Sequence, residues 1–188
     1  MKKNREILTR YESAFGKPAE IVCRRCFGKW AGTTDYSIKI GDSLLSVGNS
    51  SAGQEYLNKH IEEVIQVFEK FAECKPEILQ KIKSLQPFDD ALAEKMGLQK
   101  YEVLDINFAK SGQFIGWFYV TLKVGDKIIN HMTTGLDYKI RQYLKENKEF
   151  SLEGKKYYTA GGLADSMVDF VFHGSGFSTK SKMYTLED

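Results

Sequence analysis

The chain has 188 residues, of which 42% are hydrophobic and 13% are aromatic. This apolar share is large enough to build a folded core, and it excludes a disordered segment. The 27 Lys and Arg residues exceed the 25 Asp and Glu residues by a net charge of only +2. The charge balance therefore argues against bulk, histone-like binding of nucleic acid and leaves room for local basic patches.

The first residues are charged and lack the apolar segment of a signal peptide, and no apolar run reaches the roughly 20 residues that span a bilayer. The three cysteines, Cys23, Cys26 and Cys74, fit a reducing compartment better than a disulfide framework. We therefore expect a cytoplasmic protein with no membrane association. Cys23 and Cys26 have the spacing of a metal knuckle, but no second pair completes four ligands. We accordingly expect no bound metal and no cofactor.

The first part of the chain predicts the element order α-β-β-β-α. Apolar residues at three- to four-residue spacing predict a helix over residues 3–15, and a β-rich segment follows at residues 20–27. The alternation of Tyr36, Ile38 and Ile40 with polar residues predicts a second strand. Gly41 and Asp42 then suit a tight turn into a third strand. A broad apolar stripe predicts the second helix; its members are Leu57, Ile61, Val64, Ile65, Phe68 and Phe71.

The same plan returns 84 positions later. At that offset five identities align: Gly28 with Gly112, Gly32 with Gly116, Lys39 with Lys123, Gly41 with Gly125, and Asp42 with Asp126. Residues 73–98 are predicted to form a helical connector. Within it, Pro76 is expected to begin a new helix over residues 77–85. Three strands follow, the first with Leu104, Ile106 and Phe108 on one face, and then a helix over residues 136–145.

We therefore expect an α+β protein made of two related α-β-β-β-α units, each with an antiparallel three-stranded sheet packed on helices. The first unit covers residues 1–75, and the second covers residues 76–149 with its helical connector. Residues 150–188 form a C-terminal extension without a counterpart in the first unit.

Two segments, IKIGDSLLSVGNSS (residues 38–51) and VTLKVGDKIINHMTTG (residues 120–135), resemble the second and third strands of the double-stranded RNA-binding domain. That family contacts RNA through its first helix, its β1–β2 loop and the start of its last helix. The resemblance therefore implies RNA binding, in two tandem copies. At the start of the last helix, where the family has a lysine cluster, the first unit has Lys59 and the second has Lys139 and Arg141.

The predicted partner is structured RNA or a ribonucleoprotein, bound without catalysis; inhibition of an RNA-guided nuclease is one such role. Basic residues and Trp30 would provide the contacts, because guanidinium and ammonium groups bind phosphates and aromatic rings stack on unpaired bases. Tyr36 offers a second stacking face. The candidate RNA-binding residues are Arg5, Arg10, Arg24, Arg25, Lys29, Trp30, Lys59, Lys139 and Arg141.

Two alternative functions stay open. Asp165, Asp169 and His173 recur at four-residue spacing, so on a helix they would form one line. Such a line could hold a metal ion or perform general acid–base chemistry in a nuclease or hydrolase, although exposed helices often carry such residues without a function. The second alternative is a protein-interaction module that uses the open faces of its sheets.

Overall fold

The structure is a computed structural model, and it describes residues 2–26, 31–50, 54–84, 101–124, 126–132 and 134–146. These residues form three helices and two antiparallel three-stranded sheets, which confirms the predicted α+β class. They divide into two compact units. Unit 1 comprises the residues up to Glu73 together with Ala109–Gly116, and unit 2 comprises Cys74–Phe108 and the described residues from Trp117 onward.

Unit 1 has the predicted order α-β-β-β-α. Its elements are α1 (Lys2–Phe15), β1 (Ala19–Arg25), β2 (Thr34–Ile40), β3 (Ser43–Ser50) and the first part of α2 (Gln54–Ser84). The strands form an antiparallel meander in the order β1-β2-β3. The β2–β3 turn has Gly41 at a φ of 57°, a left-handed conformation that glycine adopts without a steric penalty. The predicted tight turn is thereby confirmed.

Helix α1 ends at a glycine and the chain then reverses. Gly16 has a φ of 72° and donates its N–H to the carbonyl oxygen of Glu12 at 2.8 Å. The Glu12 carboxylate also accepts a hydrogen bond from the Ala19 N–H, at 3.3 Å. Strand β1 therefore starts beside the end of α1 and runs back along it, so β1 ends near the start of α1.

Helices α1 and α2 pack in the same direction in unit 1. The Tyr11 hydroxyl donates to the carbonyl oxygen of Ile61 at 2.7 Å, and burial raises the pKa of Tyr11. Further along both helices, the rings of Phe15 and Phe68 meet edge to face with centroids 5.0 Å apart. The two helices thus begin at the same end of unit 1, at which β1 and β3 end and β2 begins. We call it the loop end of unit 1.

Unit 2 repeats the antiparallel meander. Its elements are the last part of α2, then β4 (Tyr101–Phe108), β5 (Phe118–Val124), β6 (Lys127–His131) and α3 (Thr134–Glu146), with the strand order β4-β5-β6. The offset of 84 residues that aligns the sequence also aligns β2 with β5 at both ends. Phe118, Val120 and Leu122 are fully buried at alternate positions of β5.

Helix α2 corrects one prediction. It runs without interruption from Gln54 to Ser84 with Pro76 inside it, so the prediction of a new helix after Pro76 is wrong. Proline removes one backbone hydrogen bond and strains the preceding turn, at a cost of about 3 kcal/mol. Phe71, Ile78 and Ile82 are all at most 2% exposed and share one helical stripe across the proline. Their burial offsets that cost and keeps the helix continuous.

Strand β4 corrects another prediction. Val103 pairs with Leu122, and Asp105 pairs with the next residue of β5, Thr121. Leu104 is therefore the extra residue of a β-bulge, which breaks the simple alternation along the strand. Val103 and Ile106 are buried, whereas Leu104 is half-exposed, so the predicted shared face of Leu104, Ile106 and Phe108 is wrong for Leu104.

The loop between β4 and β5 belongs to unit 1. Within this loop Ala109 and Ile115 are buried, and the Gly116 N–H donates to the carbonyl oxygen of Ala109 at 2.7 Å. The Gly112 N–H donates to the Ser43 hydroxyl at 2.7 Å. The loop therefore completes the core of unit 1.

Two predicted segments lie outside the described residues: the part of the helical connector over residues 85–98 and the whole extension over residues 150–188. Among the helices that the structure describes, none is both long and apolar enough to cross a membrane.

Candidate nucleic-acid interface

Three of the predicted basic residues lie at the loop end of unit 1. Arg5 is the fourth residue of α1, and Arg24 and Arg25 are the last two residues of β1. All three are exposed. Lys29 and Trp30, in the connection from β1 to β2, lie outside the described residues.

Arg24 and Arg25 face opposite sides of the sheet, because successive residues of a strand alternate. Arg24 pairs in register with Asp35, on the face where Lys39 contacts Glu20 at 3.4 Å. Arg25 pairs with Thr34, on the face that packs against the helices. Because β1 is an edge strand, both guanidinium groups lie along the same edge of the sheet.

Arg10 has a different role from the other arginines of unit 1. Its Nε and Nη2 atoms donate to the two carboxylate oxygens of Glu69 at 2.7 and 2.6 Å, and Nη1 lies 3.5 Å from Glu62. The hydrogen bond to Glu69 contributes most to raising the pKa of Arg10. This bidentate pair connects α1 to α2. The guanidinium of Arg10, which the sequence predicted to contact RNA, is therefore engaged in a structural ion pair.

We expect Arg10→Gln to lower the free energy of unfolding by about 1 kcal/mol, because the pair is partly exposed and its charges are screened by solvent. RNA affinity should stay within about twofold of the wild type, since Arg10 is committed to Glu69. Denaturant unfolding and a filter-binding assay on the same preparation would check both values. A large loss of RNA affinity without a loss of stability would place Arg10 in the interface instead.

Lys59 lies on the first turns of α2 at the loop end. Its side chain is 74% exposed, and its ammonium is 3.8 Å from a carboxylate oxygen of Glu63. Exposed pairs of this kind contribute little to stability, so the charge remains available to a ligand. The other Glu63 oxygen lies 3.1 Å from Nδ1 of His60, which orients that ring.

Arg141 has a structural role in unit 2. Its Nε donates to Asp137 at 2.8 Å, and its guanidinium carbon lies 5.4 Å from the centroid of the Phe118 ring. The other oxygen of Asp137 accepts the backbone N–H of Phe118 at 3.0 Å. These contacts attach α3 to β5. Lys139, on the same helix, is half-buried.

A second polar cluster lies on unit 2, at Lys75, Asp105 and Asn107. The Lys75 ammonium donates to Asp105 at 3.0 Å and to Asn107 at 2.9 Å, and the Asn107 amide donates to Asp105 at 2.8 Å. Burial acts to raise the pKa of Asp105, but the hydrogen bond from Lys75 and further contacts hold it below the usual value. The cluster satisfies its own hydrogen bonds, which favours a structural role.

Within the described part of the chain, no group of three His, Cys, Asp or Glu residues could hold a metal ion. Cys23 is exposed, Cys26 is half-buried, and both are free thiols. Asp165, Asp169 and His173 of the enzyme alternative lie outside the described residues.

His60 also lies at the loop end, where the sequence did not single it out as a candidate contact. Its ring covers Gly48 of β3: a Cβ atom on that glycine would be 3.6 Å from the His60 Cδ2. The signal for this contact was the glycine, since a glycine inside a strand often marks a close approach of another group. Gly48 indeed has a φ of 147° next to the bulge of β3.

The loop end thus combines three exposed guanidinium groups, an exposed ammonium and an oriented imidazole. Such a set can bind phosphate groups through charge-assisted hydrogen bonds. In comparisons with known proteins, no family model, no curated protein and no solved structure matches this chain.

Proposed function

We propose that this protein is a non-enzymatic binder of structured RNA, either free or within a ribonucleoprotein, and that it binds through the loop end of unit 1. The observation that carries the proposal is that Arg5, Arg24 and Arg25 are all exposed and lie at that end of their elements. By contrast, the predicted contact Arg10 is held in an ion pair with Glu69, and the predicted contact Arg141 is held in an ion pair with Asp137 of the same helix.

The charge distribution supports binding through a local cluster. With a net charge of only +2, the whole chain cannot attract a polyanion strongly, so the affinity must come from neighbouring cations. Guanidinium groups suit this role because their planar N–H donors fit phosphate oxygens. The α-β-β-β-α order of unit 1 agrees with the resemblance to the double-stranded RNA-binding domain and adds to the support.

The proposal is restricted to unit 1. In the resembled family the loop between the first two strands contacts RNA, but the corresponding loop of the second unit belongs to unit 1 and packs there through its buried residues Ala109 and Ile115. Inhibition of an RNA-guided nuclease would follow if the bound RNA were its guide. The free thiols Cys23, Cys26 and Cys74 support a location in the reducing cytoplasm.

The test removes the two strand arginines together. We expect Arg24→Thr with Arg25→Thr to weaken binding to a hairpin RNA about tenfold. The slope of log affinity against log salt should also become shallower, by roughly one for each phosphate that the variant no longer neutralises. Threonine keeps the strand propensity, so the fold should persist. Fluorescence anisotropy across a salt series would measure both quantities.

The matched control is Lys83→Ala with Lys145→Ala, two exposed lysines of unit 2 whose removal also lowers the net charge by two. It should leave the affinity nearly unchanged. Equal losses in both double variants would show that only net charge matters and would overturn the proposed site. Cleavage of labelled RNA in the presence of a divalent metal would instead favour the nuclease alternative, and failure to bind RNA even at low salt would favour the protein-interaction alternative.

A further inference from the structure

The helix-facing side of the β1-β2-β3 sheet carries a row of residues at the loop end. Cys23, Tyr36 and Gly48 are neighbours in register across β1, β2 and β3. Gly48 has no side chain, and the ring of His60 occupies the space above it. The row therefore presents Tyr36, half-exposed, beside the imidazole of His60.

Arg25 extends this surface by one pair of residues. It pairs with Thr34, two positions before Tyr36 on β2, so Arg25 and Tyr36 face the same side of the sheet. The exposed guanidinium thus lies at the outer rim, at about 7 Å along the strand from the tyrosine row. An aromatic ring, an imidazole and a guanidinium thus lie on one face of the sheet at the loop end of unit 1.

We propose that Tyr36, His60 and Arg25 form a binding site for one unpaired nucleotide of the RNA. The inference rests on the proposed function and adds the class of RNA that the protein prefers: a helix interrupted by a bulged base. Arg24 and Arg5, which line the rest of the loop end, contact the flanking phosphates.

Each side chain supplies one part of nucleotide recognition. The Tyr36 ring stacks on the base, and its hydroxyl can bond to the base edge. The His60 ring, held by Glu63 through Nδ1, forms the wall beside the base. Arg25 binds the phosphate of the same nucleotide through its paired N–H donors.

The experiment compares two RNAs. One is a hairpin with a single unpaired adenosine in its stem, and the other is the same hairpin with a fully paired stem. We expect the wild type to bind the bulged hairpin about tenfold more tightly, because stacking of one base on an aromatic side chain changes affinity by roughly five- to hundredfold. Tyr36→Leu should abolish the preference and leave the affinity for the paired hairpin unchanged. Tyr36→Phe, which keeps the ring, should retain most of the preference.

The outcomes separate the two proposals. Failure of both hairpins to bind would overturn the proposed function itself. Binding of both hairpins with equal affinity would overturn only the nucleotide site, and so would a preference that survives Tyr36→Leu. Because the first comparison uses the wild-type protein with two RNAs, it does not depend on how any variant folds. Thermal melting of each variant would confirm that the folds are comparable.

Discussion

Replacement of Gly116 by alanine is expected to lower the free energy of unfolding by about 3 kcal/mol. Gly116 has a φ of 82°, a conformation that strains any residue with a Cβ atom. The added Cβ would also be 2.5 Å from Leu45 Cδ1 and 3.1 Å from Phe68 Cζ. Leu45 and Phe68 are 4% and 2% exposed, so neither side chain can move without disturbing the core of unit 1.

The chain provides a matched control in the same loop. Gly112 has a φ of 78°, and a Cβ atom there would have no heavy atom within 4 Å. Gly112→Ala should therefore cost only the backbone strain, about 1 kcal/mol. Urea unfolding followed by circular dichroism would measure both variants. Equal losses at the two positions would mean that strain alone matters and that the loop does not pack on Leu45 and Phe68.

The strands were the part of the fold that the sequence predicted best. Ile38 and Ile40 in β2 and Phe118, Val120 and Leu122 in β5 are buried at alternate positions because an antiparallel sheet with one covered face buries every second residue. The β2–β3 turn was equally clear, since Gly41 provides the left-handed residue that such a turn requires. These signals are local, so a single sequence contains them.

The misplaced elements depend on interactions that are distant in sequence. The residues around Pro76, taken alone, predict the start of a helix. Only the burial of Ile78 and Ile82 in the apolar stripe of α2 makes a continuous helix favourable. The bulge at Leu104 is fixed by pairing with β5, which the spacing within β4 does not reveal. In both cases tertiary packing outweighs a local preference.

At the candidate site, too, the sequence indicated single residues but not the contacts between residues that are distant in sequence. Composition and position indicated Arg5, Arg24 and Arg25, but the sequence could not show that Arg10 meets Glu69, 59 residues away. Nor could it show that His60 lies over Gly48, because this contact requires α2 to pack against the end of β3. Which cations face a ligand and which hold the fold together is decided by the tertiary structure.

Acidification is expected to destabilise the protein through His131 in β6. This side chain is 3% exposed, and burial lowers its pKa from 6.5 to about 4. Between these values the unfolded chain binds a proton that the folded protein does not, so the free energy of unfolding falls as the pH decreases from 6.5 to 4. The whole pKa shift corresponds to about 3 kcal/mol in the free energy of unfolding. Above about pH 7 the contribution of His131 to this free energy is constant.

His131→Leu isolates this effect, because leucine fills the site and does not titrate. We expect the wild type to lose about 2 to 3 kcal/mol relative to the variant between about pH 7 and pH 4.5, in urea unfolding series measured at each pH. Asp105 affects stability in a separate pH range. Its pKa is lowered from 3.8, so its contribution to the free energy of unfolding disappears only at lower pH. Parallel pH profiles for the wild type and the variant would show that His131 is solvated or paired when protonated, contrary to its burial in the sheet.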